Sequence, residues 1–135
     1  MLTRWRIPAG MFVIAHGIAH LMATSVYWRL TESPDLPYTT LILGGQLDLG
    51  ETGVHLFGAV WLLAGLFTAA SGAALIAGLP RARLILLAAG LFSLAICLLV
   101  YDRAQVGIAI NLVILLAVAV AQRWPARSQQ IAGAH

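Results

Sequence analysis

The chain has 135 residues, of which 61% are hydrophobic and only 10% charged, with a mean hydropathy of +0.91. A soluble domain is closer to half apolar and a quarter charged, so the composition excludes one and points to a single integral membrane unit. All eight basic residues are arginine, and they are scattered rather than patched, which gives nucleic-acid binding no support.

Four apolar segments follow in chain order: about Pro8 to Trp28, Thr52 to Gly78, Leu84 to Tyr101 and Val106 to Gln122. Each reaches the roughly 17 residues needed to cross about 30 Å of hydrocarbon. Continuous apolar runs without alternation predict helices, the only open-ended solution that satisfies its own backbone in lipid. The expected fold is all-α: an antiparallel four-transmembrane-helix bundle forming one domain over residues 1–135. Arg4 and Arg6 ahead of the first segment resemble a signal peptide, but its two histidines and the lack of a small-residue cleavage site predict that it is retained.

Arginine placement sets the expected orientation. Arg4 and Arg6 precede helix one, Arg81 and Arg83 fill the second connection, and Arg123 and Arg127 follow helix four. The other two connections hold only Arg29 and Arg103, together with all five acidic residues: Glu32, Asp35, Asp48, Glu51 and Asp102. Both termini are expected to be cytoplasmic, in a multi-pass protein of the inner (cytoplasmic) membrane. Trp5, Tyr27, Trp28, Tyr101 and Trp124 sit at segment ends, as interfacial aromatics do.

The outer loop, residues 29–51, is long for so small a protein. Its second half, from Leu41 to Leu49, reads as two short strands around Gly44-Gly45, a hairpin over the outer mouth of the bundle, with a short interfacial or re-entrant segment as the alternative. The tail, residues 125–135, is expected to be mobile.

The most informative stretch is Ala15-His16-Gly17-Ile18-Ala19-His20. It puts two imidazoles on one helix face, within hydrocarbon, where an ionisable group turns toward protein or water. His16, His20, Thr24 and Tyr27 share that face. Helix two has Gly58, Gly65 and Gly72 at heptad spacing, with Glu51 and His55 projected onto the same side. Helix three offers Gly90, Ser93 and Cys97; helix four offers Gly107 and Asn111, with Gln122 at its far end. These groups converge on a polar pocket open to the outer side.

Three chemistries fit that pattern. His16, His20, His55 and Glu51 form two i,i+4 pairs that suit zinc, iron or copper. A b-type haem between His16 or His20 and His55 is a second arrangement. The third is a small lipophilic ligand such as a quinone, with His20, His55, Glu51 and Asp102 as acid–base groups and Asn111, Tyr101, Thr24 and Tyr27 orienting a polar head. Beside these stands a plainer role, in which histidine, threonine, serine, asparagine and glutamine bond across helices for about 0.6 kcal/mol each. Glu51 then caps helix two, and Asp102 pairs with Arg103 or caps helix four. Cys97 reads as a small buried apolar residue.

The order of His16-Gly17, His20-Leu21, then Trp61 to Ala64, then Asp102, Gly107, Asn111-Leu112 and Ile114-Leu115 resembles a widespread bacterial family. Its members are small four-helix membrane proteins of unknown function, often labelled transporter permeases. The resemblance implies the four-helix fold and singles out His16, His20, Asp102 and Asn111; it implies no activity. A weaker similarity, resting on glycine-rich helix two, is to the DoxX-like proteins. The expectation is a membrane protein whose histidine-lined pocket binds a metal ion or a small lipophilic ligand, with or without catalysis. Its alternatives are a proton-coupled transporter and an accessory subunit of a homo-oligomer or larger membrane complex.

Overall fold

A computed structural model describes residues 3–132, with side chains for residues 5–123. Four helices follow one another: α1 (Thr3–Tyr27), α2 (Gly50–Ala77), α3 (Ala82–Leu99) and α4 (Gln105–Ala132). All four are long and apolar enough to cross a membrane. Chain neighbours pack as spatial neighbours, most extensively α1 with α2.

Glycine explains that close pair. A Cβ on Gly17 would lie 2.7 Å from the Gly65 carbonyl oxygen, and one on Gly72 would lie 2.6 Å from that of Gly10. Bringing the backbones together in this way is how helices associate in lipid, where no hydrophobic force drives them. Two of the three α2 glycines visible in the sequence, Gly65 and Gly72, thus meet a matching pair in α1.

The connection from α2 to α3 is tight. Gly78 adopts φ +71°, which a residue without Cβ does at no steric cost. Its N–H bonds the Leu75 carbonyl and that of Leu79 bonds Ala74, a Schellman cap. At the other end, β1 (Leu41–Ile42) pairs antiparallel with β2 (Leu47–Asp48), Leu41 opposite Asp48. This is the expected hairpin around Gly44-Gly45. It covers the bundle end: Ile42 is buried among Tyr27, Val54 and Val100, the Leu43 N–H donates to the Leu99 carbonyl at 2.8 Å, and Arg103 Nη2 donates to the Leu41 carbonyl at 3.1 Å.

Two boundaries differ from the hydropathy reading. α1 begins at Thr3, with Pro8 inside it; as the sixth helical residue the proline forgoes one i→i−4 backbone bond, a local cost that leaves the helix unbroken. α4 continues to Ala132, since hydropathy stops at the membrane surface but helicity need not. The tail expected to be mobile is therefore helical as far as Ala132; residues 133–135 lie outside the described residues.

A buried histidine centre and a crevice beneath it

The face of α1 carrying His16, His20, Thr24 and Tyr27 is turned inward, all four being buried. α3 contributes Ser93 and α4 contributes Asn111, both fully buried. Their side chains form a single circuit. His16 Nε2 lies 3.3 Å from Asn111 Oδ1. Asn111 Nδ2 donates to Ser93 Oγ at 2.8 Å and to the Gly107 carbonyl at 2.9 Å. Ser93 Oγ lies 2.7 Å from His20 Nε2, and His20 Nδ1 lies 3.0 Å from the His16 carbonyl.

The two backbone carbonyls fix every proton in that circuit, because a carbonyl can only accept. The Gly107 oxygen requires the NH2 of Asn111 on its side, so the amide oxygen faces His16, and His16 donates from Nε2. The His16 carbonyl requires a proton on His20 Nδ1, so the Nε2 lone pair of neutral His20 accepts from the Ser93 hydroxyl. Ser93 in turn accepts from Asn111. Reversing the Asn111 amide would set two acceptors face to face at Gly107. The circuit therefore has one direction and suits two neutral imidazoles. It ties three helices together.

This geometry bears on the metal and haem readings. Both nitrogens of His20 are engaged, and the only ring nitrogen of His16 without an assigned partner is Nδ1. Among the described residues no group of three or more His, Cys, Asp or Glu side chains converges as a metal site would require. The described residues, as placed, assemble no such ligand set, and no chemistry is routed through a metal or a haem iron.

Glu51 and His55, projected onto the packing side of α2, are instead exposed. The buried stripe of α2 is Val54, Gly58, Trp61, Gly65 and Gly72, and His55 is one residue, about 100°, off it. The space beside Gly58 is taken by Trp28, whose indole N–H donates to the His55 carbonyl at 2.9 Å. His55 Nδ1 donates to the Glu51 carbonyl at 2.6 Å. The Glu51 carboxylate accepts from Arg29 at 2.9 Å and from the Tyr38 hydroxyl at 2.7 Å, with the Arg29 guanidinium 4.2 Å from the centre of the Tyr38 ring. Asp102 pairs with Arg103 at 2.8 Å, the plainer role considered for it. Of the four residues singled out by the family resemblance, His16, His20 and Asn111 meet and Asp102 stands apart.

Other expected site residues scatter. Thr24 back-bonds the His20 carbonyl at 3.4 Å. Tyr27, expected at an interface, is buried against Phe57 at 5.3 Å between ring centres, with no partner for its hydroxyl among the described residues. Tyr101 is exposed and lies against Gly44. Cys97 is buried, within 3.7 Å of Asn111 Nδ2.

The sequence reading placed Ser93 on the inward face without giving it a partner, and passed over a second feature altogether. Ser93 is the hub between His20 and Asn111. A signal was available: His20 is eight residues before Trp28 and Ser93 eight before Tyr101, so the two lie at one depth. The second feature is an apolar crevice of about 590 Å³ at the opposite end from the hairpin, between α1 and α4. Phe12, Val13, Leu86, Val113, Ile114 and Ala117 line it, and Arg6 and Arg83 border it. Its deep wall of Val13, Leu86 and Ile114 is a packed apolar layer. Val13 precedes His16 by three residues and Ile114 follows Asn111 by three, so this layer lies one helical turn, about 5 Å, from the histidine centre.

Comparison with protein-family models, curated proteins and solved structures returns no match for this chain.

Proposed function

We propose that this multi-pass membrane protein binds a small lipophilic ligand in the crevice between α1 and α4, and that the histidine centre holds that crevice in shape. Both termini are then cytoplasmic, as the arginine distribution favours, and the crevice opens toward the inner leaflet. The observation that carries this reading is the crevice itself. Its volume lies within the roughly 300–1,000 Å³ of small-molecule sites, and its lining is predominantly apolar, as theirs is. Support for the second half comes from the tie: His16 on α1 and Asn111 on α4 bond one turn from the crevice's deep wall, setting the separation of the two helices that form it.

The test uses purified protein in lipid nanodiscs with a photoactivatable apolar probe, a diazirine-bearing alkyl chain. Crosslinks are expected on Phe12, Val113 and Ala117. Ala117→Trp, which fills the crevice, should abolish them, whereas Leu116→Trp on the exposed face should not. Equal labelling of wild type and Ala117→Trp would overturn the proposal.

A further inference from the structure

We infer that the crevice receives an anionic phospholipid of the adjoining leaflet, its acyl chain between α1 and α4 and its phosphate against Arg6 and Arg83. The inference rests on the crevice being a lipophilic site, and it names the head group.

Charge complementarity carries it. At the hairpin end the two arginines are matched, Arg29 with Glu51 and Arg103 with Asp102. At the crevice end, Arg6 and Arg83 have no carboxylate partner among the described residues; all five acidic residues belong to the other two connections. Orientation alone accounts for arginines at this end. It does not account for two of them lining an apolar crevice while fixed to its walls. Arg6 Nε donates to the Leu75 carbonyl at 3.1 Å and Nη2 to that of Ile76 at 2.9 Å. Its guanidinium packs over Gly78, where any Cβ would overlap it. Arg83 Nη1 donates to the Ala121 carbonyl at 3.3 Å, fastened to α4 on the far side. Each guanidinium spends part of its five N–H groups on backbone and keeps others for an anion. Two preorganised cations at the mouth of a hydrocarbon-lined slot match a phosphate with a chain attached.

The experiment compares two photoactivatable lipids with identical diazirine-bearing chains, one a phosphatidylglycerol and one a phosphatidylcholine, in nanodiscs of neutral lipid. Crosslinks at Phe12, Val113 and Ala117 are counted relative to the lipid-facing Leu63 and Leu116. The anionic lipid is expected to label the crevice at least fivefold more than the neutral one. Arg83→Gln should remove about fivefold of that preference, the worth of one arginine near an anionic surface, and Arg83→Lys should keep most of it. Arg6→Gln also loses two bonds that cap α2, so Arg83 is the primary variant, with protection of buried Cys97 from thiol reagents as the check on folding. Equal labelling by both lipids overturns the head-group inference and leaves the lipophilic reading standing. Labelling of Leu63 and Leu116 without the crevice overturns both. Protection of the crevice from both lipids that is relieved on dilution to monomers would make a second chain the occupant and also overturn the inference.

Discussion

Asn111 is where the proposed tie is most open to measurement. Its amide makes three short bonds, to His16, Ser93 and the Gly107 carbonyl. At about 0.6 kcal/mol for an average intramembrane side-chain bond, these sum to roughly 2 kcal/mol. Asn111→Leu also leaves the buried His16 N–H without an acceptor, a cost of about 1–3 kcal/mol. Gly107 keeps its helical bond, so the expected destabilisation is about 2–4 kcal/mol. Asn111→Asp is nearly isosteric but should be at least as damaging, because a carboxylate oxygen would face the Gly107 carbonyl and a charge within hydrocarbon costs about 2.5–3.5 kcal/mol. The assay is unfolding in mixed detergent micelles, in a double-mutant cycle with His16→Ala. The coupling energy should exceed about 0.5 kcal/mol, whereas Asn111→Leu with Ser71→Ala, a buried serine bonded within α2, should be additive within about 0.3–0.5 kcal/mol. Additivity of the His16 pair, or an Asn111→Asp variant more stable than Asn111→Leu, would refute the directed circuit.

Three further outcomes follow from the packing. Gly65→Ala puts a methyl 2.8 Å from the Gly17 carbonyl oxygen, which cannot move aside; the same unfolding assay should show a loss of about 1–3 kcal/mol, while Ala119→Leu on the exposed face stays within about 0.5 kcal/mol. Cys97, the chain's single cysteine and 1% exposed, should resist maleimide in the native protein and react on unfolding; rapid native labelling would contradict the packing of α3 against α4. In the hairpin, the Thr40 hydroxyl and the Gly50 N–H hold the Asp48 carboxyl below the ordinary range. A carboxyl with a depressed folded value adds stability above its unfolded value, near 3.9, and loses it as pH falls through the folded one. The melting difference between wild type and Asp48→Asn should therefore be present at neutral pH and shrink well below pH ~4.

Much of the fold is legible in hydropathy because lipid imposes one rule on every span: twenty or so apolar residues closing their own hydrogen bonds. The hairpin is legible for a different reason, since Gly44 and Gly45 take φ +66° and +90°, which glycine adopts readily. The histidine face of α1 is legible too, because ionisable groups in hydrocarbon turn inward. What periodicity could not supply is partner choice. Glu51 and His55 lie near the stripe of α2 on a helical wheel, but at the first turn of that helix the neighbouring space belongs to Trp28, and a loop residue, Tyr38, takes the carboxylate. Nor can periodicity show that His16 and Asn111 come level and bond. What sets this is the register of α4: Gly107 lies against Cys97, where a Cβ would approach the sulfur to 3.0 Å. Asn111, one turn on, then comes level with Ser93, one turn back along α3. In the sequence Arg6 and Arg83 speak only to orientation, because a crevice belongs to no single helix.

The position of the crevice follows from where the polar tie stops. α1 and α2 are zipped along much of their length by glycine against backbone, and dispersion holds them because the approach is so close. α1 and α4 have no such seam. Where Asn111 reaches His16 they are joined; beyond Val13 and Ile114 each presents apolar side chains for which a lipid chain is as good a neighbour as another helix. A soluble protein would close such a gap to remove hydrocarbon from water. In a bilayer no comparable force acts, so the helices stay parted and the space suits a hydrocarbon chain. The histidine centre and the crevice are thus two consequences of one arrangement: polar side chains decide how far along the bundle the first and last helices are held, and the bilayer can occupy what lies beyond.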